Sequence, residues 1–129
     1  NGATEPTKDV TIWVAMLTEA VLTLGLVSVI LGTASGARNV GINGAIAVGA
    51  YIGLVSVWGA PVSGASMNPA RSLGPELIAG NLTNYWIYLV GPIIGAMLAV
   101  GFEFILKGKA TKAGAEAAQG ILDENPEGL

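Results

Sequence analysis

Between Val10 and Leu106 this chain of 129 residues carries only five charged side chains, Glu19, Arg38, Arg71, Glu76 and Glu103. That scarcity limits what the chain can fold into. The other ten charges sit in its two ends. Charged residues make up 12% of the whole, against about 25% in soluble domains. A sequence that is 52% hydrophobic, with its charge pushed to the termini, reads as an integral membrane protein. The net charge of −3 comes mostly from the tails and leaves no basic patch for nucleic acid. With no Cys and no His, disulfides, thiol catalysis and the usual soft metal sites are excluded.

Three apolar runs are candidate spans. Val10–Gly32 and Tyr85–Leu106 are each long enough to cross a bilayer as helices at about 1.5 Å per residue. Gly44–Ala60 is shorter and rich in glycine, and Pro61 is expected to end it. Residues 1–9 are polar, contain Pro6 and read as an extracellular loop. Residues 107–129 begin with Lys107, Lys109 and Lys112, continue as an Ala/Gly/acidic run, and read as a disordered cytoplasmic tail. Arg38 and the lysine cluster fall on one side of a three-span chain, which the positive-inside rule makes cytoplasmic. Trp13, Trp58, Tyr85, Trp86 and Tyr88 then lie near the outer ends, as an interfacial aromatic belt would. The pairs Gly32/Gly36, Gly49/Gly53 and Gly91/Gly95 have the spacing that lets helices approach closely in lipid. The chain starts at Asn1 rather than Met, so a fragment or a processed piece is expected.

The stretch Ser63-Gly64-Ala65-Ser66-Met67-Asn68-Pro69-Ala70-Arg71-Ser72-Leu73-Gly74-Pro75 interrupts this apolar pattern. Asn is a favoured N-cap and Pro a favoured first helical residue, so a short helix should run from Asn68 to about Ile78. Residues 63–67 are expected to approach it as extended chain. An arginine at bilayer depth costs roughly 2.5 kcal/mol or more and faces water or a partner rather than lipid. Irregular backbone survives there only if it is buried in protein or lines a wet cavity. Together these features predict a re-entrant segment beside a pore. The N-terminus of the short helix would present unpaired N–H groups and about half a positive charge.

The run Asn68-Pro69-Ala70-Arg71-Ser72, with Gly74-Pro75 and with Gly91-Pro92 in the following span, resembles the second half of the major intrinsic proteins. These are the aquaporin and aquaglyceroporin channels. The likeness covers roughly Val10–Leu106. It implies an all-α membrane protein, here an aquaporin-like half with three transmembrane helices and one re-entrant half-helix. The complete fold would be two inverted repeats. A missing N-terminal half, or a second copy paired in antiparallel fashion, would then complete the pore. The resemblance further implies a homotetramer in a lipid bilayer, multi-pass in a plasma or inner membrane, with no cofactor, no metal and no nucleic-acid partner.

On that resemblance each site residue has an expected role. Asn68 donates its amide to a passing oxygen while its carbonyl caps the helix. Arg71 sits one turn outward at the constriction and adds to the barrier against cations. Carbonyls of Gly64, Ala65 and Ser66 supply acceptors opposite it. Glu19 props the loop by accepting backbone N–H bonds. The selectivity filter comprises Arg71, Ala65 and, fifteen positions before the arginine, Ser56. Absence of His points to a wide or differently polar filter, whereas Ser72 rather than Asp after the arginine points to the water-type branch. The plainer alternatives are a simple loop cap for Asn68, a snorkelling residue for Arg71 and an interfacial carboxylate for Glu19. Glu103 is expected to snorkel or to pair with a lysine.

The function so implied is a passive channel for water and small uncharged solutes that excludes protons and ions. The alternatives are a glycerol-type facilitator and a non-conducting helical subunit. No nucleophile–base pair or metal cluster suggests an enzyme.

Overall fold

The structure, a computed structural model, describes residues 2–34, 42–109, 111, 112 and 116. Its elements are α1 (Ile12–Ala34), α2 (Ile42–Ser63), α3 (Pro69–Ala79) and α4 (Tyr85–Lys107), with no strand among the described residues. Helices α1, α2 and α4 are long and apolar enough to cross a membrane. Helix α3, with 11 residues, is about 16 Å long and is too short to cross. The all-helical, three-span architecture expected from the sequence is therefore present. Arg38 and most of the tail lie outside the described residues.

Chain direction follows from the contacts. Trp13 meets Trp86 edge-to-face at 5.8 Å, and Gly91 and Gly95 lie against Met16 and Ala20, so α1 and α4 run parallel. Glu19 reaches Ser63, and Leu22 packs on Gly59, so α1 and α2 run antiparallel. Both α1 and α4 thus start on the membrane face where α2 ends. The segment between α2 and α4 must leave from and return to that face.

Glycine sets the α1–α4 distance. A Cβ on Gly95 would stand 2.1 Å from the Ala20 carbonyl oxygen, and one on Gly91 2.8 Å from that of Met16. Backbone touches backbone here because no side chain intervenes. The other two glycine pairs behave differently. Gly32, Gly49 and Gly53 face open space, and Gly36 lies outside the described residues. Spacing alone did not identify the packed face.

Pro61 does not end α2, which runs on to Ser63. Proline removes an N–H but does not forbid a final turn whose carbonyls find other donors. Thr7 supplies them: its hydroxyl donates to the Pro61 carbonyl, and its N–H donates to the Val62 carbonyl at 3.3 Å. The polar N-terminal segment is thus strapped across the end of α2.

Two small apolar clusters grip the region from either side. Leu22, Val55, Ala65 and Met67 form one, with Leu26 and Tyr51 against it. Ala15, Ile87 and Tyr88 form the other. The exterior is apolar, with Leu54 and Val57 72% and 77% exposed, as a bilayer-facing surface requires.

Candidate functional site

The chain leaves α2 at Ser63 and enters α3 at Pro69 through five residues that do not form one extended run. Gly64, Ala65 and Met67 have φ of 89°, 47° and 52°, all left-handed. Two of these carry side chains, at a cost of order 1–3 kcal/mol each. Asn68, at φ −151° and ψ 111°, is extended. The alternation turns successive N–H groups of the loop toward α1.

Glu19 meets them. Its Oε1 accepts from Ser66 N–H at 2.9 Å and from the Ser63 hydroxyl at 2.7 Å, and its Oε2 accepts from Met67 N–H at 2.7 Å. Glu19, Ser63 and Ser66 are at most 3% exposed. A buried carboxylate that accepts three bonds is well satisfied, and the loop gains donors' partners that lipid could not supply. Glu19 lies seven residues into α1, about 10 Å along its axis. The loop it holds therefore sits beside α1 about 10 Å along from its first residue, within the length of a span rather than beyond its end.

Asn68 caps α3. Its Oδ1 accepts from Ala70 N–H at 2.9 Å and Arg71 N–H at 3.3 Å, and Pro69 occupies the first helical position, where its missing N–H costs nothing. The cap uses the side-chain oxygen and leaves the Nδ2 amide as its donor end. Arg71, in the first turn of α3, folds back so that Nη1 donates to the Ala65 carbonyl at 2.9 Å. The left-handed Ala65 peptide and the arginine thus meet, whereas Ser56 lies on α2 with its hydroxyl on the Ile52 carbonyl at 2.7 Å. Asn68, Ala70 and Arg71 are on the exposed side of the chain, and Gly64 is partly exposed beside the buried Ala65 and Ser66.

Two tyrosines assigned to an interfacial belt are in fact supports. Tyr88 is fully buried and donates to the Ser63 carbonyl at 2.5 Å. Tyr85 donates to the Pro69 carbonyl at 3.3 Å. Their spacing from the loop gave no local signal, because the contact spans about twenty residues of chain. Trp13 and Trp58 do stay exposed. Ser66 and Ser72 were likewise not foreseen as partners: their hydroxyls lie 2.6 Å apart, and Ser66 Oγ also donates to the Asn68 carbonyl at 2.9 Å. Glu103 pairs with Lys107 at 2.8 Å, one turn on. Among the described residues no group of acidic side chains could hold a metal ion.

A sequence model described as "Major intrinsic protein" matches residues 1–102. The chain belongs to the major intrinsic protein family. It is a multi-pass membrane protein. Aquaporin NIP1-1 of Zea mays is 47% identical over 83 residues, covering 64% of this chain and 29% of that protein. Aquaporin TIP1-2 of Musa acuminata is 40% identical over 106 residues, covering 80% of this chain and 42% of that protein. Nodulin-26 of Glycine max is 46% identical over 83 residues, covering 64% and 31%. The chain thus spans less than half the length of these relatives.

Proposed function

We propose that this chain forms the half of a passive water channel that carries one re-entrant helix and the filter arginine, and that it is not an enzyme. The observation that carries this reading is a single arrangement. Alongside the apolar span α1, a helix N-terminus capped by Asn68 stands beside an arginine bonded to the Ala65 carbonyl, and the loop that leads to both is held by Glu19. Names of relatives as aquaporins support it. Residues 10–106 are the channel-forming half, residues 1–9 lie outside, and the tail from residue 107 is cytoplasmic.

The mechanism follows from charge and donor placement. The Asn68 Nδ2 amide donates to a passing water oxygen while its Oδ1 stays in the cap, which fixes the amide's direction. The half-charge at the α3 N-terminus and the Arg71 guanidinium raise the potential where the two meet. Cations, H₃O⁺ included, meet a barrier there, and water is oriented against proton hopping. Carbonyls of Gly64, Ala65 and Ser66 offer acceptors along the same wall, with Ala65 shared with Arg71. Ser56 supplies a small polar filter position. A second inverted half completes the lumen, and four such pores assemble as a tetramer.

A small filter residue and the absence of His favour a second permeant class, small uncharged solutes such as glycerol. Osmotic shrinkage of proteoliposomes carrying the full-length polypeptide separates the readings. Fast water efflux without glycerol uptake is the expected result. Rapid glycerol uptake would move the protein to the facilitator class, and flux no greater than bare lipid would sink the channel reading. Arg71→Val should raise proton leak and widen the solute cut-off. If neither changes, Arg71 is not at the constriction.

A further inference from the structure

Glu76 has no part in the channel mechanism, yet it is 4% exposed. It lies four residues beyond Ser72 on α3, so both side chains point to one side of the helix. That side faces the N-terminal segment. The Thr4 hydroxyl donates to Glu76 Oε1 at 3.3 Å, while Oε2 is buried with no hydrogen-bond partner among the described residues. Ionised, such an oxygen carries the full cost of lost hydration; holding a proton, it carries much less.

Neighbouring charges give no relief. Glu5 on the N-terminal segment faces Glu76. Glu19 on α1 and Glu5 act, with Glu76, on the Tyr88 hydroxyl of α4. Arg71, on the same helix, is committed to the Ala65 carbonyl. Burial therefore pushes the Glu76 carboxyl above the ordinary carboxylate range; the Thr4 hydrogen bond works against this and Glu5 reinforces it.

Glu76 is also the end of a chain of hydroxyls. Thr4 Oγ1 bonds Ser72 Oγ, Ser72 Oγ lies 2.6 Å from Ser66 Oγ, and Ser66 Oγ donates to the Asn68 carbonyl. Thr4, Ser66 and Ser72 are 4%, 3% and 0% exposed. Each hydroxyl has one proton to give. With Thr4 donating to Glu76, Ser72 donates to Thr4, and the one proton of Ser66 serves either the Asn68 carbonyl or Ser72. A carboxyl proton resting on Oε2 leaves Oε1 to accept from Thr4.

We propose that Glu76 in its neutral form is a positioning residue for the pore loop, fastening residues 2–10 through Thr4, Ser72 and Ser66 to the loop that carries Asn68 and Arg71, and that loss of its proton releases the segment. The effect on flux rests on the channel reading; the fastening rests on the hydrogen bonds. The direction follows from the raised carboxyl. The fastened state has its full stability below the ordinary glutamate range and loses it as pH rises through the elevated value. Ionised Glu76 needs water at Oε2, and water reaches it when the segment lifts.

The test uses the full polypeptide in lipid nanodiscs. Hydrogen exchange is read at the Thr7 amide, which donates to the Val62 carbonyl, from pH 5 to 9 as protection relative to an unstructured peptide. One linked proton predicts protection falling by up to about tenfold per pH unit across the titration. Glu76→Gln should stay protected and lose the slope. Thr4→Val should be weakly protected at every pH, which keeps the test decisive if the Gln variant does not fold. Glu5→Gln should retain a slope. A flat wild-type profile, a slope that survives in Glu76→Gln, or one abolished by Glu5→Gln would overturn the proposal. Water efflux from proteoliposomes is measured over the same range. Efflux indifferent to pH while Thr7 protection changes would overturn the positioning role. No efflux at any pH would count against the channel reading, with Thr7 protection still deciding the fastening.

Discussion

Glu19→Gln would preserve the shape of the side chain under the re-entrant loop but not its chemistry. Two carboxylate oxygens accept from two N–H groups and a hydroxyl. An amide would present its own donor to one of those N–H groups. A loss of about 2–4 kcal/mol is expected, because a buried donor is left unpaired and a charge-assisted bond is removed. Denaturant titration of the purified protein measures it, and a loss below about 0.5 kcal/mol would remove Glu19 from its supporting role. Asn68→Asp separates capping from permeation. The aspartate oxygen still accepts from Ala70 and Arg71 N–H, so stability should stay within about 0.5 kcal/mol. The amide donor is gone and a negative charge stands in its place, so water permeability and cation exclusion should both fall in flux assays. Unchanged flux would mean that the amide does not face the permeant. The roles expected of Asn68 and Glu19 could be written from the motif and the resemblance. The supports supplied by Tyr85, Tyr88 and Thr7 could not, because each acts across a long loop of sequence on a carbonyl that no residue type announces.

Among the elements, the α1–α4 crossing is the least tolerant of added volume. Gly95→Ala would place a methyl 2.1 Å from the Ala20 carbonyl oxygen, and helix backbones cannot yield as a side chain can. A cost of about 2 kcal/mol or more is expected. Gly101→Ala, on the same helix but in open space, should lie within about 0.5 kcal/mol of wild type. Thermal unfolding of the two variants side by side checks this, and equal stabilities would contradict the close crossing. Helix α3 illustrates how local signals succeed. Asn68 and Pro69 start it, and Gly80, at φ 68°, ends it with its N–H on the Glu76 and Leu77 carbonyls. Helix α2 illustrates how they fail. Pro61 is a valid stop signal by itself, but Thr7 provides donors for the carbonyls beyond it.

For the whole molecule, the parallel course of α1 and α4 places Lys8 and Gly80 on one face of the membrane and Gly108 on the other. The chain has no cysteine, so single-cysteine variants report without background. Lys8→Cys and Gly80→Cys should react with an impermeant thiol reagent added to one side of sealed vesicles, and Gly108→Cys only from the opposite side. Labelling of all three from one side would break the re-entrant topology. The sequence by itself determined the solvent, the number of spans and the start of the short helix. Charge scarcity, run length and an Asn-Pro pair are local quantities, and lipid enforces them strongly because it offers no hydrogen bonds. Only the tertiary structure decided which glycines touch, that Gly64, Ala65 and Met67 turn left-handed instead of extending, and that the N-terminal segment is fastened over α2 and α3. Those outcomes depend on pairing donors and acceptors from distant parts of the chain, and such pairing is settled by three-dimensional proximity, which no window of sequence contains.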